Sequence, residues 1–150
     1  MLGVCLSVLF VPDMGKTKAA ESISLSGKAH VQTFADQNGK LVSQGGIQTL
    51  VLGTRGMAKR VESVTVNLKN NTGYAGTLQY RVHRQTYGWT AWLNAGQAAG
   101  THGEGKRLEA LEMQLTGELE KYYDVRYRAH IQTYGDNQGW VYNGALAGTT

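Results

Sequence analysis

Side chains suited to ligand binding recur along this chain. Three tryptophans and three His-x-Gln pairs are the most distinctive, and asparagines lie near the tryptophans. Indole faces stack on sugar rings, while histidine and amide groups form hydrogen bonds with hydroxyls. The predicted ligand-binding residues are Trp89, Trp92, Trp140, His83, Gln85, His130, Gln132, Asn94 and Asn143.

Each assignment has a structural alternative. A tryptophan that recurs at one place in successive repeats also suits a packing role, because large aromatic residues often fill the interior of repeats. The His-x-Gln pair equally suits a structural hydrogen bond to a neighbouring turn. Exposure of the indoles distinguishes ligand stacking from packing.

The sequence offers no constellation typical of an enzyme or a metal protein. The segment from Gly100 to Arg107 resembles a phosphate-binding loop, but Arg107 stands where Ser or Thr must bind magnesium. A zinc site built from His30, His83 and His130 would need all three to face one axis, and no local ligand spacing supports it. We therefore predict no catalytic residues, no metal and no cofactor.

The chain repeats itself. Gly-Thr pairs begin at Gly53, Gly100 and Gly148, spaced by 47 and 48 residues, and Arg-x-Glu pairs begin at Arg60 and Arg107, 47 residues apart. The Arg and Glu of each pair are most simply a structural ion pair at the start of a strand. We predict three repeats of about 47 residues, of which the third stops before its Arg-x-Glu strand. The repeats cover about residues 22–72, 73–120 and 121–150.

Within each repeat, apolar and polar residues alternate with the period of a β-strand. Val125, Tyr127 and Ala129, for example, alternate with Arg126 and Arg128. The 20 glycines among 150 residues disfavour helices and suit turns. The predicted class is all-β, with three pseudo-repeats in a β-prism-like arrangement or, alternatively, a β-trefoil.

The first 19 residues are typical of a secretory signal peptide, although no basic residue precedes the apolar run at residues 2–11. That run is too short to span a bilayer. Cleavage after Ala19 would remove Cys5, the single cysteine, and leave residues 20–150 as the repeat domain. The alternative is a buried N-terminal strand.

The net charge of +4 is spread along the chain rather than gathered in a basic tail. We therefore predict no nucleic-acid partner. A moderately basic surface favours anionic partners such as cell walls or acidic glycans.

The combined pattern resembles the clostridial hydrophobic repeat with a conserved tryptophan, the ChW repeat, over about residues 22–150. The second predicted repeat has the family's His-x-Gln, Gly-Trp, Ala-Gly-Thr-x-Gly and Arg-Leu-Glu-Ala elements, with Trp89 and Trp92 at the two tryptophan positions. In the third repeat Trp140 takes the second position and Asp136 the first, whereas the first repeat has no tryptophan. The resemblance implies an exported or cell-surface module of Gram-positive bacteria, often attached to hydrolase or adhesion modules.

We expect a secreted or cell-surface protein that binds a glycan or cell-surface polymer without catalysing a reaction. The alternative is a protein-interaction or self-assembly module that contacts other surface proteins. In that alternative, partner strands add to the edges left by the incomplete third repeat.

Overall fold

The structure, a computed structural model, describes residues 3–10, 23–44, 47–131, 135 and 138–150. Its regular structure is almost entirely β-strand, which confirms the predicted all-β class. Within these residues the exception is one short helix, α1 (Leu119–Tyr122). No helix in the described part of the chain has the length and apolar character needed to cross a membrane.

Sheet 1 contains three strands of the first predicted repeat. Its centre is the antiparallel pair of β2 (Ile23–Val31) and β6 (Val61–Asn70). Strand β3 (Ala35–Asn38) pairs with the other side of β2. The short strand β10 (Ala99–Gly100), which comes from the second predicted repeat, pairs with the outer side of β6.

Sheet 2 follows the same plan one repeat later. Its centre is the antiparallel pair of β7 (Leu78–Arg84) and β11 (Leu108–Leu115). Both β8 (Gly88–Trp89) and β9 (Leu93–Asn94) pair with the outer side of β7. Strand β14 (Ala147–Gly148), from the third predicted repeat, pairs with β11.

Sheet 3 combines the N-terminal strand with strands of the first and third predicted repeats. Strand β12 (Tyr123–His130) pairs with β13 (Val141–Tyr142) on one side and with β1 (Gly3–Phe10) on the other. Strand β5 (Ile47–Gly53) pairs with β1, and β4 (Lys40–Gln44) forms the outer edge of the sheet.

Strand β1 occupies in sheet 3 the position that β6 and β11 occupy in the other two sheets. In each sheet the histidine of the His-x-Gln pair faces one residue of this central partner strand. These facing residues are Ser63 for His30, Ala110 for His83 and Gly3 for His130. The N-terminal strand therefore stands where the long strand of the third predicted repeat would be.

The position of β1 bears on the predicted signal peptide, because this strand lies within residues 1–19. Val4 of β1 is buried, as the alternative of an N-terminal strand requires. The cleavage site predicted after Ala19 lies outside the described residues, so cleavage stays a prediction.

The core consists of the inward-facing residues of the long strands. On β12, Val125, Tyr127 and Ala129 are buried, while Arg126 and Arg128 between them are partly exposed, as their alternation predicts. Full burial of one such large apolar side chain stabilises a fold by about 1.5–3 kcal/mol. On β7 and β12 the arginine and histidine side chains are therefore left partly exposed.

Two buried tyrosines form hydrogen bonds that link the long strands to the following loops. The hydroxyl of Tyr80 donates to the carbonyl of Gln97, and that of Tyr127 donates to the carbonyl of Ala145. Tyr80 also accepts a hydrogen bond of 3.1 Å from the backbone N–H of Val66, in sheet 1. Burial raises the pKa of Tyr127 to about 12, so this hydroxyl keeps its proton at all ordinary pH values.

At two of the recurring Gly-Thr pairs, a short strand of one repeat pairs with the long strand of the preceding sheet. Gly100 and Gly148 have φ angles of +127° and +111°. A Cβ atom on Gly100 would lie 2.1 Å from the carbonyl oxygen of Glu62, and one on Gly148 would lie 2.3 Å from that of Glu109. Glycine recurs here because the short strand of one repeat contacts the backbone of the preceding long strand.

Candidate ligand-binding surface

Trp89, Trp92 and His83 come together around one arginine on the outer face of sheet 2. The guanidinium carbon of Arg81 lies 4.7 Å from the ring centre of Trp89 and 5.0 Å from that of Trp92. Glu112, opposite on β11, holds Arg81 through a contact of 2.7 Å between Oε2 and Nε. We call these five residues the Trp89 cluster.

The geometry of the Trp89 cluster leaves its indoles half-buried. An arginine at these distances is within the range of a cation–π interaction, which contributes about 0.5–1 kcal/mol at exposed sites and about 2 kcal/mol where desolvated. The two tryptophans are thus neither core residues nor fully exposed platforms. Ligand contact by them stays a prediction.

His83 is engaged by its own sheet. Its Nδ1 lies 3.1 Å from Oε2 of Glu109, and its ring meets the edge of Trp89 with centroids 5.4 Å apart. Oε1 of the same carboxylate lies 3.1 Å from Nη2 of Arg107. The Arg-x-Glu pair is therefore an ion pair, as predicted, and it also holds the histidine of the repeat.

Trp140 lies in a second group on sheet 3. Arg126 and Arg128, two positions apart on β12, place their guanidinium carbons 4.5 Å and 4.8 Å from its ring centre. These three residues line a cavity of about 690 Å³ together with Lys40 and Arg55. We call this space the Trp140 cavity.

The Trp140 cavity combines an aromatic wall with positive charge. Four of its lining side chains are basic, and the described residues that line it include no carboxylate. The remaining wall is supplied mainly by apolar side chains of the β4–β5 hairpin, Val42, Ile47 and Val51. This combination suits a ligand that has both a ring and an anionic group.

The predicted amide ligands have bonds within the protein. Asn94 accepts a hydrogen bond of 2.9 Å from Gln79 through its Oδ1. Asn143 accepts one of 3.0 Å from the backbone N–H of Val125 and donates one of 2.7 Å to Asp124. Asn94 therefore links β9 to β7, and Asn143 fixes the segment after β13 against β12.

The two predicted glutamines and His130 are placed as follows. Gln85 is partly buried, and its backbone N–H donates to the carbonyl of Arg107 at 3.0 Å. His130 is partly buried at the end of β12. Gln132 lies outside the described residues. The structure thus separates the described members of the predicted set into two groups, one on sheet 2 and one on sheet 3.

The arginines that contact the indoles were missing from the predicted set. Arg81 and Arg128 each precede a histidine of the repeat by two residues, so they share its outward face on a strand. That alternation was the available signal for them. Arg55 and Lys40 gave no such signal, because they reach the Trp140 cavity from a distant part of the chain.

The first predicted repeat carries a carboxylate in place of an indole. Asp36 lies opposite His30 across β2 and β3 and accepts a hydrogen bond of 2.6 Å from Lys28. Nδ1 of His30 lies 2.8 Å from Oδ1 of the same carboxylate. Hydrogen bonds from Lys28 and His30 lower the pKa of Asp36 from its ordinary 3.8 to about 2.

Comparison with known proteins identifies one segment. No curated protein and no solved structure matches the chain. Residues 83–117 match the family model described as Clostridial hydrophobic W, and this segment includes Trp89 and Trp92. The ChW resemblance predicted from the sequence is therefore confirmed for the second repeat, which is similar to members of the clostridial hydrophobic W family.

Proposed function

We propose that this chain is an exported, surface-associated, non-catalytic module that binds an acidic glycan or another anionic cell-surface polymer. The observation that carries the proposal is the Trp140 cavity, which four basic side chains line together with one indole. A sugar ring would stack on the indole while its carboxylate or phosphate groups pair with the arginines. The ChW match supports the surface association, because the family resemblance implies cell-surface modules.

The acidic side chains near the indoles support a binding role rather than catalysis. Glu112 is paired with Arg81, and Glu109 is paired with both Arg107 and His83. Glycoside hydrolysis needs two carboxylic groups that converge on one bond, with one of them free to donate a proton. Carboxylates held by arginines suit the positioning of basic groups instead.

The proposal includes a pseudo-threefold, β-prism-like architecture. Each sheet combines the His-x-Gln strand of one repeat, a long antiparallel partner, and a short Gly-Thr strand or its counterpart from another repeat. In sheet 3 the partner is β1 and the counterpart is β5. This common order supports three equivalent units related by an approximate threefold axis.

The binding proposal is tested with an immobilised polyuronate and with neutral dextran as the comparison. We expect retention on the polyuronate alone, and weaker retention as salt rises. Trp140→Ala should weaken binding about tenfold or more, the effect of losing a central contact worth about 1.4 kcal/mol. Arg126→Gln should also weaken binding to the polyuronate.

Trp92→Ala, which removes an indole from sheet 2, is the matched control for the loss of a tryptophan. If both single variants are folded, and the variant that combines Trp92→Ala with Trp140→Ala binds as well as the parent chain, stacking of the ligand on the indoles is contradicted. Equal retention on polyuronate and dextran would contradict recognition of anionic groups.

Self-assembly is the second candidate function, and one observation favours it. The strand β1 lies within the predicted signal peptide and pairs with β12 and β5 on its two sides. Export with cleavage after Ala19 would remove β1 and leave both of those edges unpaired. We infer that the cleaved form pairs these edges with a second copy of the chain.

A further inference from the structure

Two histidines and an aspartate lie close together in sheet 1, near the point where β10 of the second predicted repeat pairs with β6. His30 lies on β2 and Asp36 on β3, directly opposite each other. His102 follows β10, and its Nε2 lies 3.3 Å from the hydroxyl of Ser63 on β6. The rings of the two histidines are 4.5 Å apart between centroids.

The atoms of these side chains that are able to bind a metal converge. Nδ1 of His30 lies 2.8 Å and Nε2 of His102 lies 3.6 Å from Oδ1 of Asp36. One ligand atom from each of the three side chains lies within 4.8 Å of a ligand atom of the other two. Around a tetrahedral Zn²⁺ with bonds of 2.0–2.1 Å, neighbouring ligand atoms are about 3.4 Å apart. The observed separations lie on either side of this value.

We propose that His30, Asp36 and His102 bind a divalent transition metal ion, for which Zn²⁺ is the probe. Two imidazole nitrogens and one carboxylate oxygen form a donor set that such ions prefer. Asp36 and His102 are exposed, with side chains 40% and 49% accessible, so an ion can enter from solvent. Three protein ligands leave a fourth position for water or for an oxygen of a bound ligand.

Lys28 affects both the orientation of the Asp36 carboxylate and the affinity of the proposed site for a metal ion. Its Nζ lies 2.6 Å from Oδ2 of Asp36, which leaves Oδ1 directed toward the two histidines. The same positive charge opposes a cation nearby. Removal of this charge should therefore strengthen metal binding, whereas a purely structural network would gain nothing from the change.

The second predicted repeat provides an internal comparison. His83 corresponds to His30, but Trp89 stands at the position of Asp36, and Thr150 stands at the position of His102. Glu109 lies beside His83, at 3.1 Å from its Nδ1. A histidine in the same structural position thus lacks the other two ligands of the proposed set.

The test is calorimetric titration of the full chain, without a histidine tag, with ZnCl₂ at neutral pH. We expect saturable binding of one zinc ion per chain. His102→Ala and Asp36→Asn should each weaken it more than tenfold, whereas His83→Ala should leave it unchanged. Lys28→Met should strengthen binding severalfold.

Absence of saturable binding would overturn the proposal, and so would binding that His102→Ala and Asp36→Asn leave intact, since the ion would then bind elsewhere. Unchanged affinity in Lys28→Met would contradict the inference that the charge of Lys28 opposes the ion. Zinc-induced NMR shifts confined to the imidazoles of His30 and His102 provide a readout on the unaltered chain. Shifts spread over His83 and His130 would contradict the site even if a variant failed to fold.

Discussion

At the scale of single residues, the surroundings of His30 and His83 differ in the residue six positions later in the chain. In sheet 2 this residue is Trp89, and the cation at Arg81 stacks on its ring. In sheet 1 it is Asp36, and the cation at Lys28 forms an ion pair with it. The position opposite the histidine thus carries an indole in sheet 2 and a carboxylate in sheet 1.

Asp36 gives sheet 1 a defined dependence on acid. Its pKa in the folded chain is lowered to about 2, from an ordinary 3.8, chiefly by hydrogen bonds from Lys28 and His30. A group whose folded pKa is depressed stabilises the fold fully above its unfolded pKa and loses that contribution as the pH falls toward the folded value. The stability difference between the parent chain and Asp36→Asn should therefore be largest above about pH 4, shrink as the pH falls, and be lost below about pH 2.

Urea unfolding midpoints of the two proteins at pH 6, 4 and 2 measure this difference. Other carboxylates titrate in the same range, but they do so in both proteins, and the difference isolates Asp36. A gap that stays constant from pH 6 to pH 2 would show that the carboxylate is not held by these partners.

At the scale of elements, short glycine-containing strands connect each sheet to the next repeat. Gly100 has its φ angle at +127° and approaches the backbone of Glu62, where a Cβ would lie 2.1 Å from the carbonyl oxygen. Gly103, three residues later, also has a positive φ of +70°, but a Cβ there would meet nothing within 4 Å. Comparison of the two positions therefore distinguishes the cost of backbone strain from the cost of steric overlap.

Alanine substitutions at these two positions should differ in cost. Gly103→Ala carries only the strain of a left-handed residue, about 1–2 kcal/mol. Gly100→Ala adds a clash between backbones that neither side can relieve, so we expect a loss of about 3 kcal/mol or more. The free energy of unfolding in urea measures both, and equal losses would mean that the close approach of β10 to β6 is not required.

At the scale of the whole molecule, β1 completes sheet 3. Deletion of residues 1–19 should expose the edges of β12 and β5 and cause self-association at high concentration. Light scattering of residues 20–150 beside the full chain measures this, and a peptide of residues 1–10 should restore the monomer. A shortened chain that is folded and monomeric, or one that is unfolded, would contradict the self-assembly candidate.

Much of this protein follows from its sequence alone. Alternation of apolar and polar residues, as in Val125 to Ala129, is local, and it determined which side chains face the core. The spacing of the Gly-Thr and Arg-x-Glu pairs determined the repeat hypothesis, and residues 83–117 carried the ChW resemblance that the family comparison confirmed. Such signals can be recognised in the sequence because they act between neighbouring residues or recur at a constant spacing.

Only the tertiary structure decided which distant residues meet. The pairing of β1 with β12 joins segments more than a hundred residues apart in sequence, and no local pattern selects that partner. The meeting of His102 with His30, and of Arg55 with Trp140, likewise depends on how the sheets pack. Side-chain types and strand period determine a face for each residue, but packing of the whole chain determines which faces share one site.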